Sequence, residues 1–219
     1  MKAITDVLEG LSPWCVLHGD NTEILPLIPD KGVTHVITDP PYENNTHQKQ
    51  MNHRAFLEGR VKPKALGFGA ITDQIRQFTA DECARLSSGW ALAFCQAEGV
   101  GFWRQAFIDA GAKWSRSQAW VKPDASPQFT GDRPGCGHEN IATAWCGTGR
   151  SRWNGGGSKG VYTHCIGAQN SGSLNEHPTT KPIALMLELV ELFTDPGDIV
   201  LDPFCGSGTT GVACIRLGR

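Results

Sequence analysis

Asp39-Pro40-Pro41-Tyr42 sets a carboxylate, a backbone held by two prolines and an aromatic ring directly behind the apolar run Val33-Thr34-His35-Val36-Ile37-Thr38. In an open α/β sheet, ligands bind at the carboxyl ends of the strands. At such a place Asp39 can accept a hydrogen bond from an exocyclic amine, and the carbonyl of Pro40 offers a second acceptor on a stiffened backbone. Two acceptors on one NH₂ draw its nitrogen out of conjugation with the ring and leave the lone pair open to an electrophile. Tyr42 adds a face on which a base can stack, worth about 1–3 kcal/mol per base. A bare Pro-Pro turn capped by an Asp is the simpler reading, but Asp-Pro-Pro-aromatic directly after a buried strand is much rarer than such turns.

A second Asp-Pro-aromatic turn, Asp202-Pro203-Phe204, closes Ile199-Val200-Leu201 and leads into Cys205-Gly206-Ser207-Gly208-Thr209-Thr210. Gly206 and Gly208 allow close backbone approach to a ligand. A helix beginning near Thr209 would aim its N-terminus at the bound group. A P-loop requires Gly-Lys-Ser/Thr, and this stretch has no lysine. Gly206-Ser207-Gly208-Thr209-Thr210-Gly211 does match the dinucleotide string, so that alternative stays open, although the preceding Asp202-Pro203 suits an amino-acid-bearing nucleoside better than a pyrophosphate. The two turns together point to an enzyme that acts on a flat, amino-bearing base and uses a nucleoside cofactor.

These residues need a frame that places them together. Apolar runs predict strands over Trp14–Leu17, Val33–Thr38, Trp90–Phe94, Gln118–Val121, Asn140–Trp145 and Ile199–Leu201. Periodicity predicts helices over Thr72–Ser87, Val100–Ala110, Lys181–Phe193 and Thr209–Leu217, with Pro182 in the first turn of the third. The alternation argues for one α/β domain over residues 1–219, a doubly wound, mostly parallel sheet covered on both faces. Two stretches interrupt it. Residues 43–70 carry Lys49, Arg54, Arg60, Lys62 and Lys64 against Glu43 and Glu58. Residues 147–175 carry Arg150, Arg152 and Lys159 with no acid, around Trp153 and Gly155-Gly156-Gly157. Loops this long are functional or mobile, and both local charge patches suit nucleic acid, while a solvated surface is the alternative. Trp153 could stack on or wedge into DNA, or anchor its own loop.

Composition bounds the rest. The net charge of −2 gives no nucleic-acid signature for the chain as a whole. No apolar run approaches the roughly 18 residues of a membrane span, and the N-terminus, with Asp6 and Glu9, does not read as a signal peptide. An intracellular, cytoplasmic protein of a bacterial or phage host is expected. Eight cysteines contain no Cys-x-x-Cys pair, and Cys136, His138, Cys146, His164 and Cys165 match no zinc spacing, so neither metal nor disulfide framework is expected.

The two turns, in this order, resemble those of the beta-class DNA amino-methyltransferases, which use S-adenosyl-L-methionine to modify N6 of adenine or N4 of cytosine. Asp39–Tyr42 resembles their catalytic motif and Asp202–Gly208 their cofactor motif. His177-Pro178-Thr179-Thr180-Lys181-Pro182 resembles the segment that precedes the cofactor motif, and His18-Gly19-Asp20 their acidic adenine-side position. Trp120-Val121-Lys122-Pro123 and His138-Glu139-Asn140 match more loosely. The resemblance implies a circularly permuted, seven-stranded sheet in which the strands ending at Asp39 and Asp202 are neighbours. It implies methyl transfer to a base flipped out of double-stranded DNA, with catalytic roles for Asp39, Pro40 and Tyr42. It also implies cofactor contacts from Asp20, Lys181, Asp202, Phe204, Gly206, Ser207, Gly208 and Thr209. Lys181 has the alternative of solvating a helix start, and Thr209 or Thr210 that of capping a helix.

DNA contacts are expected from Lys49, Arg54, Arg60, Arg150, Arg152, Trp153 and Lys159, with residues 147–175 as a small target-recognition insertion. Both basic stretches are expected to be poorly ordered without DNA. Asp rather than Ser at the head of the catalytic motif leans toward adenine. Cytosine N4, a DNA-binding homologue without activity and a protein glutamine methyltransferase are the alternatives, the last opposed by motif order. Members of such families are often homodimers and often serve restriction–modification. A strand bearing an acid for the ribose hydroxyls is expected to follow residue 219.

Overall fold

The computed structural model describes residues 2–42, 70–166 and 180–219. Its elements run α1 (Lys2–Leu8), α2 (Asn21–Ile24), β1 (His35–Thr38), α3 (Asp73–Leu86), β2 (Trp90–Cys95), α4 (Val100–Asp109), β3 (Lys113–Val121), β4 (His138–Trp145), β5 (Val161–Thr163), α5 (Ile183–Phe193), β6 (Val200–Leu201) and α6 (Thr209–Arg216). They form one six-stranded sheet in the order β5-β3-β4-β2-β1-β6. β1 pairs in parallel with β2 and with β6, and β3 with β5. Only β4 runs against its neighbours, so the expected mostly parallel sheet is realised, with six strands among the described residues.

Burial on both faces explains the near-continuous apolar strands. All four residues of β1 and all six of β2 are buried. One face presents small side chains, Val36, Ala91, Ala93, Ala142 and Ala144, to a layer built from Ile4, α3 and α4, with Leu86, Trp103 and Phe107 at its centre. The other presents Ile37, Leu92, Phe94 and Ile141 to Leu185, Met186, Leu189 and Val190 of α5 and to Ala213 and Cys214 of α6. Local chemistry sets the helix starts. Thr72 caps α3 through its hydroxyl on the Ile75 N–H at 3.2 Å, and α5 opens behind Pro182, the cap residue rather than a member of the first turn.

Two expectations are corrected. Trp14–Leu17 is not a strand. It is irregular, with Trp14 55% and Val16 68% exposed, because no described strand offers it a ladder and an apolar run alone does not make one. The described part of the second glycine-rich stretch, residues 147–166, is packed. Trp153 stacks edge-on to Phe193 with centroids 4.8 Å apart, the Trp90 indole donates to the Arg152 carbonyl, and Val161–Thr163 forms β5 with Tyr162 buried. Trp153 is thus the anchor of its loop. Residues 43–69 and 167–175 lie outside the described residues. Among the described residues no helix is long and apolar enough to cross a membrane.

β1 is fastened at its base by His35. The ring Nδ1 accepts the Trp90 N–H at 2.9 Å, so Nε2 carries the proton and donates to Asp198 at 3.0 Å. Burial holds the imidazole below its usual pKa, against the pull of Asp198, and keeps it in this neutral form. Gly89 leaves room for the ring, since a Cβ there would lie 2.5 Å from His35 Cε1 and 2.7 Å from the Thr34 carbonyl. Gly89→Ala is therefore expected to lose about 2 kcal/mol or more of stability, read as a lower urea midpoint with an unchanged slope.

Candidate active site

Parallel pairing of β1 with β6, in the register His35 to Val200 and Val36 to Leu201, brings the two Asp-Pro turns to one edge of the sheet although they are far apart in sequence. Buried Thr38 joins them directly: its hydroxyl donates to Asp202 Oδ1 at 2.7 Å. The Phe204 N–H donates to the same oxygen at 3.2 Å, and Thr210 adds a further hydrogen bond to the carboxyl. Burial nevertheless outweighs these bonds and pushes the Asp202 pKa up to about 6.

The backbone beyond Asp202 is built for approach. Gly206 has φ 52° and Gly208 φ 77°, and Gly208 is the cap residue of α6, its N–H bonded to the Cys205 carbonyl at 2.8 Å. A Cβ on Gly206 would touch only the Phe204 carbonyl, at 3.8 Å, so the glycines leave an open cradle rather than filling a packed one. Positive φ, not crowding, requires glycine here. Ser207 and Thr209 face each other at 3.0 Å between hydroxyls.

Asp39 follows the last residue of β1 and keeps 28% of its side chain exposed. Its Oδ2 accepts from Lys181 Nζ at 2.6 Å, and its Oδ1 lies 3.1 Å from the Tyr42 hydroxyl. That hydroxyl makes its shorter bond to Glu139 Oε2, at 2.7 Å. Glu139 Oε1 in turn accepts from Lys122 at 2.8 Å, and Lys181 stands 3.4 Å from Oε2. The result is an alternating chain of charge, Asp39, Lys181, Glu139 and Lys122, walled by aromatic rings. Lys181 Nζ sits 5.0 Å from the centroid of Phe94, 5.2 Å from Tyr42 and 6.0 Å from Trp120.

Burial sets the titration of each member, and neighbours decide who wins. Burial disfavours ionised Glu139, but Lys181 and Lys122 more than offset it and hold its pKa at about 2. Burial works against the Lys181 ammonium, yet Asp39 and Glu139 raise its pKa above the usual lysine value. For Asp39 burial prevails over Lys181, and its pKa lies above the ordinary carboxylate range. Tyr42, buried beside two carboxylates, is held neutral by a pKa well above the usual phenol value.

Asp39 and Tyr42 from one expected set, and Asp202, Gly206, Ser207, Gly208 and Thr209 from the other, thus lie along one edge. Two further expected cofactor residues have partners within the chain. Lys181 is paired with Asp39, not directed at the glycine turn. Asp20 ends an irregular segment and caps α2, accepting from the Thr22 N–H at 2.8 Å and hydroxyl at 2.7 Å. Of the expected DNA contacts, Arg152 and Trp153 lie at the opposite edge: Trp90, which holds the Arg152 carbonyl, begins β2, whereas Asp39 follows the end of its parallel neighbour. Arg150 and Lys159 are exposed on the same packed stretch. Lys49, Arg54 and Arg60 lie outside the described residues. In the sequence Glu139 and Lys122 are only loose matches to the family pattern. The antiparallel register Trp120 to Glu139 and Val121 to His138 brings them in, and pairing of that kind has no local sequence signal.

A family model described as DNA methylase, covering the N6 and N4 enzymes, matches residues 103–219. Among curated proteins the chain is similar to the Type II methyltransferase M.HinfI of Haemophilus influenzae, with 25% identity over 93% of this chain. It spans 62% of the length of that relative. It is 28% identical to the putative methylase YubD of Escherichia coli (strain K12), over 93% of this chain and 80% of that one. Among solved structures, the M1.HpyAVI–SAM complex superposes with a TM-score of 0.65 at 24% identity, over 93% of this chain and 88% of that one. The PvuII DNA methyltransferase, titled cytosine-N4-specific, does so with 0.64 at 17%, over 92% and 77%. With the matched family segment covering more than half of its residues, the chain belongs to the N6/N4 DNA methylase family.

Proposed function

We propose that this chain transfers a methyl group from S-adenosylmethionine to the N6 amino group of adenine in double-stranded DNA, the base having been turned out of the helix. The reading is supported above all by the Thr38–Asp202 bond, which joins the Asp39 and Asp202 turns. The cradle suits the cofactor: two glycines at positive φ, an open approach, the helix start at Thr209 and the half-buried Asp202 carboxylate before them. A sulfonium bound there would supply the methyl group as an electrophile.

The residues of the chain do the rest by positioning and electrostatics. Asp39 accepts one N–H of the amine, the Pro40 carbonyl takes the other, and the Tyr42 ring stacks on the base. The bound cofactor would give its methyl carbon to the nitrogen lone pair and keep the electron pair of the carbon–sulfur bond on sulfur. The nitrogen then sheds a proton, and a carboxyl such as Asp39, raised by burial, is suited to receive it. Asp39 at the head of the motif favours adenine. Cytosine N4 is the second reading, supported by the fold shared with the cytosine-N4-specific PvuII enzyme. DNA contacts are proposed for Lys49, Arg54 and Arg60, which follow Tyr42 directly in the chain, ahead of Arg152 and Trp153 at the far edge.

Labelled-methyl transfer to duplex DNA followed by nucleoside analysis tests the reading, with N6-methyladenine as the expected product; N4-methylcytosine would move it to the second. Asp39→Ala and Tyr42→Ala are each expected to lose at least roughly 100-fold in kcat. Undiminished transfer by both would remove the assigned site.

Asp202 gives a second check. Its folded pKa of about 6 lies above the roughly 3.9 of an unfolded chain. The native state binds that proton more tightly, so stability is lost as pH rises through about 6. Asp202→Asn is expected to be more stable than the native chain at pH 8 by about 2 kcal/mol and nearly equal to it at pH 4, in urea unfolding. The same variant should bind S-adenosylmethionine more weakly by calorimetry.

A further inference from the structure

Lys181 occupies the carboxylate that the reaction needs. Its ammonium lies 2.6 Å from Asp39 Oδ2, while the Tyr42 hydroxyl stands 3.1 Å from Oδ1. A carboxylate has lone pairs for more than two donors, so an incoming amine is not shut out by geometry alone. Charge is the obstacle. The amine nitrogen becomes positive as it takes the methyl group, and a fixed ammonium on the same carboxylate would oppose that charge in a poorly solvated site.

Glu139 offers the ammonium another place. Its Oε2 already lies 3.4 Å from Lys181 Nζ, and it is held ionised at a pKa of about 2. The rings of Phe94, Tyr42 and Trp120 surround the lysine within 5.0 to 6.0 Å, so a short shift between the two carboxylates stays inside one aromatic cage. Lys122 pairs with the other oxygen of Glu139 and leaves Oε2 to Tyr42 and Lys181.

Resting on the methyl-transfer reading, we infer that Lys181 is a stand-in for the substrate amine, and that Glu139 is the positioning residue that receives its ammonium when the base binds. In the free protein Lys181 holds one oxygen of Asp39. When the amine arrives, Lys181 moves onto Glu139 and Asp39 turns to the substrate. In this role Glu139 acts through the lysine.

The test is a double-mutant cycle on kcat for methyl transfer, with Glu139→Gln, Lys181→Met and the double variant. Gln keeps the shape of Glu139 and its acceptor for Tyr42 but cannot draw the ammonium off Asp39. Glu139→Gln alone is expected to lower kcat by roughly tenfold or more. In the Lys181→Met background the same change should cost less than about twofold, because no ammonium is left to relocate. Equal costs in both backgrounds would mean that Glu139 is only structural and would overturn the inference. A native chain that transfers no methyl group overturns the methyl-transfer reading and the inference with it, whereas an active chain with equal costs sinks the inference alone.

The native protein supplies a second measurement that does not depend on the folding of Glu139→Gln. With lysine labelled by ¹³C at Cε, the Lys181 resonance is identified by its loss in Lys181→Met. It is expected to move when a duplex the chain methylates is added in the presence of S-adenosylhomocysteine. A resonance that stays in place overturns the inference.

Discussion

β1 is the strand on which every other part of the site depends. Four residues long and wholly buried, it lies in parallel between β2 and β6, so all three strands deliver their following residues to the same edge. It is tied to its neighbours at both ends by side chains. At its base, His35 accepts from the Trp90 backbone and donates to Asp198 in the turn before β6. At its top, Thr38 donates to Asp202. A one-residue slip against β6 would break both ties and turn Ile37 toward the face that Val36 now fills. The distance between the Asp39 turn and the glycine turn beyond Asp202 is therefore fixed by a register that the core enforces.

That edge gathers three carboxylates, Asp39, Asp202 and Glu139, in poorly solvated surroundings, and burial would raise the pKa of all three. They end up different because their partners differ. Asp202 has only uncharged donors and rises to about 6. Glu139 has two lysines and falls to about 2. Asp39 shares one lysine with Glu139 and lies above the usual range. One ammonium more or fewer at this edge would change which carboxyl is ionised, and so which can accept from an amine. Removing one member of such a buried set leaves the others uncompensated.

The parts legible in the sequence were those with local causes. β1, β2 and the second half of β4 are apolar runs buried on both faces, and α3 and α5 carry periodic stripes behind the capping Thr72 and Pro182. Both Asp-Pro turns stood out because strand, acid, rigid turn and glycines are contiguous. What depends on pairing was not legible. Trp14–Leu17 has the composition of a strand and lacks a ladder. β5 has a ladder to Ala119–Val121 but only three residues to announce it, among glycines. Glu139 and Lys122 enter the site through the β3–β4 register, and Lys181 is claimed by Asp39 across most of the chain, so neither role has a signature in neighbouring residues.

The glycine-rich stretch shows how a loop with the composition of a ligand contact can serve the site from a distance. Asn154 donates from its side chain to the carbonyls of Glu191 and Thr194 and to Asp195, closing the C-terminal end of α5, while Trp153 packs on Phe193. His164, just past β5, pairs with Glu188 one turn earlier in that helix. α5 is 11 residues long, about 16 Å at 1.5 Å per residue, and Lys181 stands two residues before its start. Residues 153–164 therefore brace the far half of the element whose near end presents the ammonium to Asp39. Freeing those contacts would let α5 shift against the sheet, and a buried ion pair tolerates little displacement before its attraction no longer covers the desolvation of both partners. Trp153, Asn154 and His164 of this stretch thus support the Lys181–Asp39 pair through a helix.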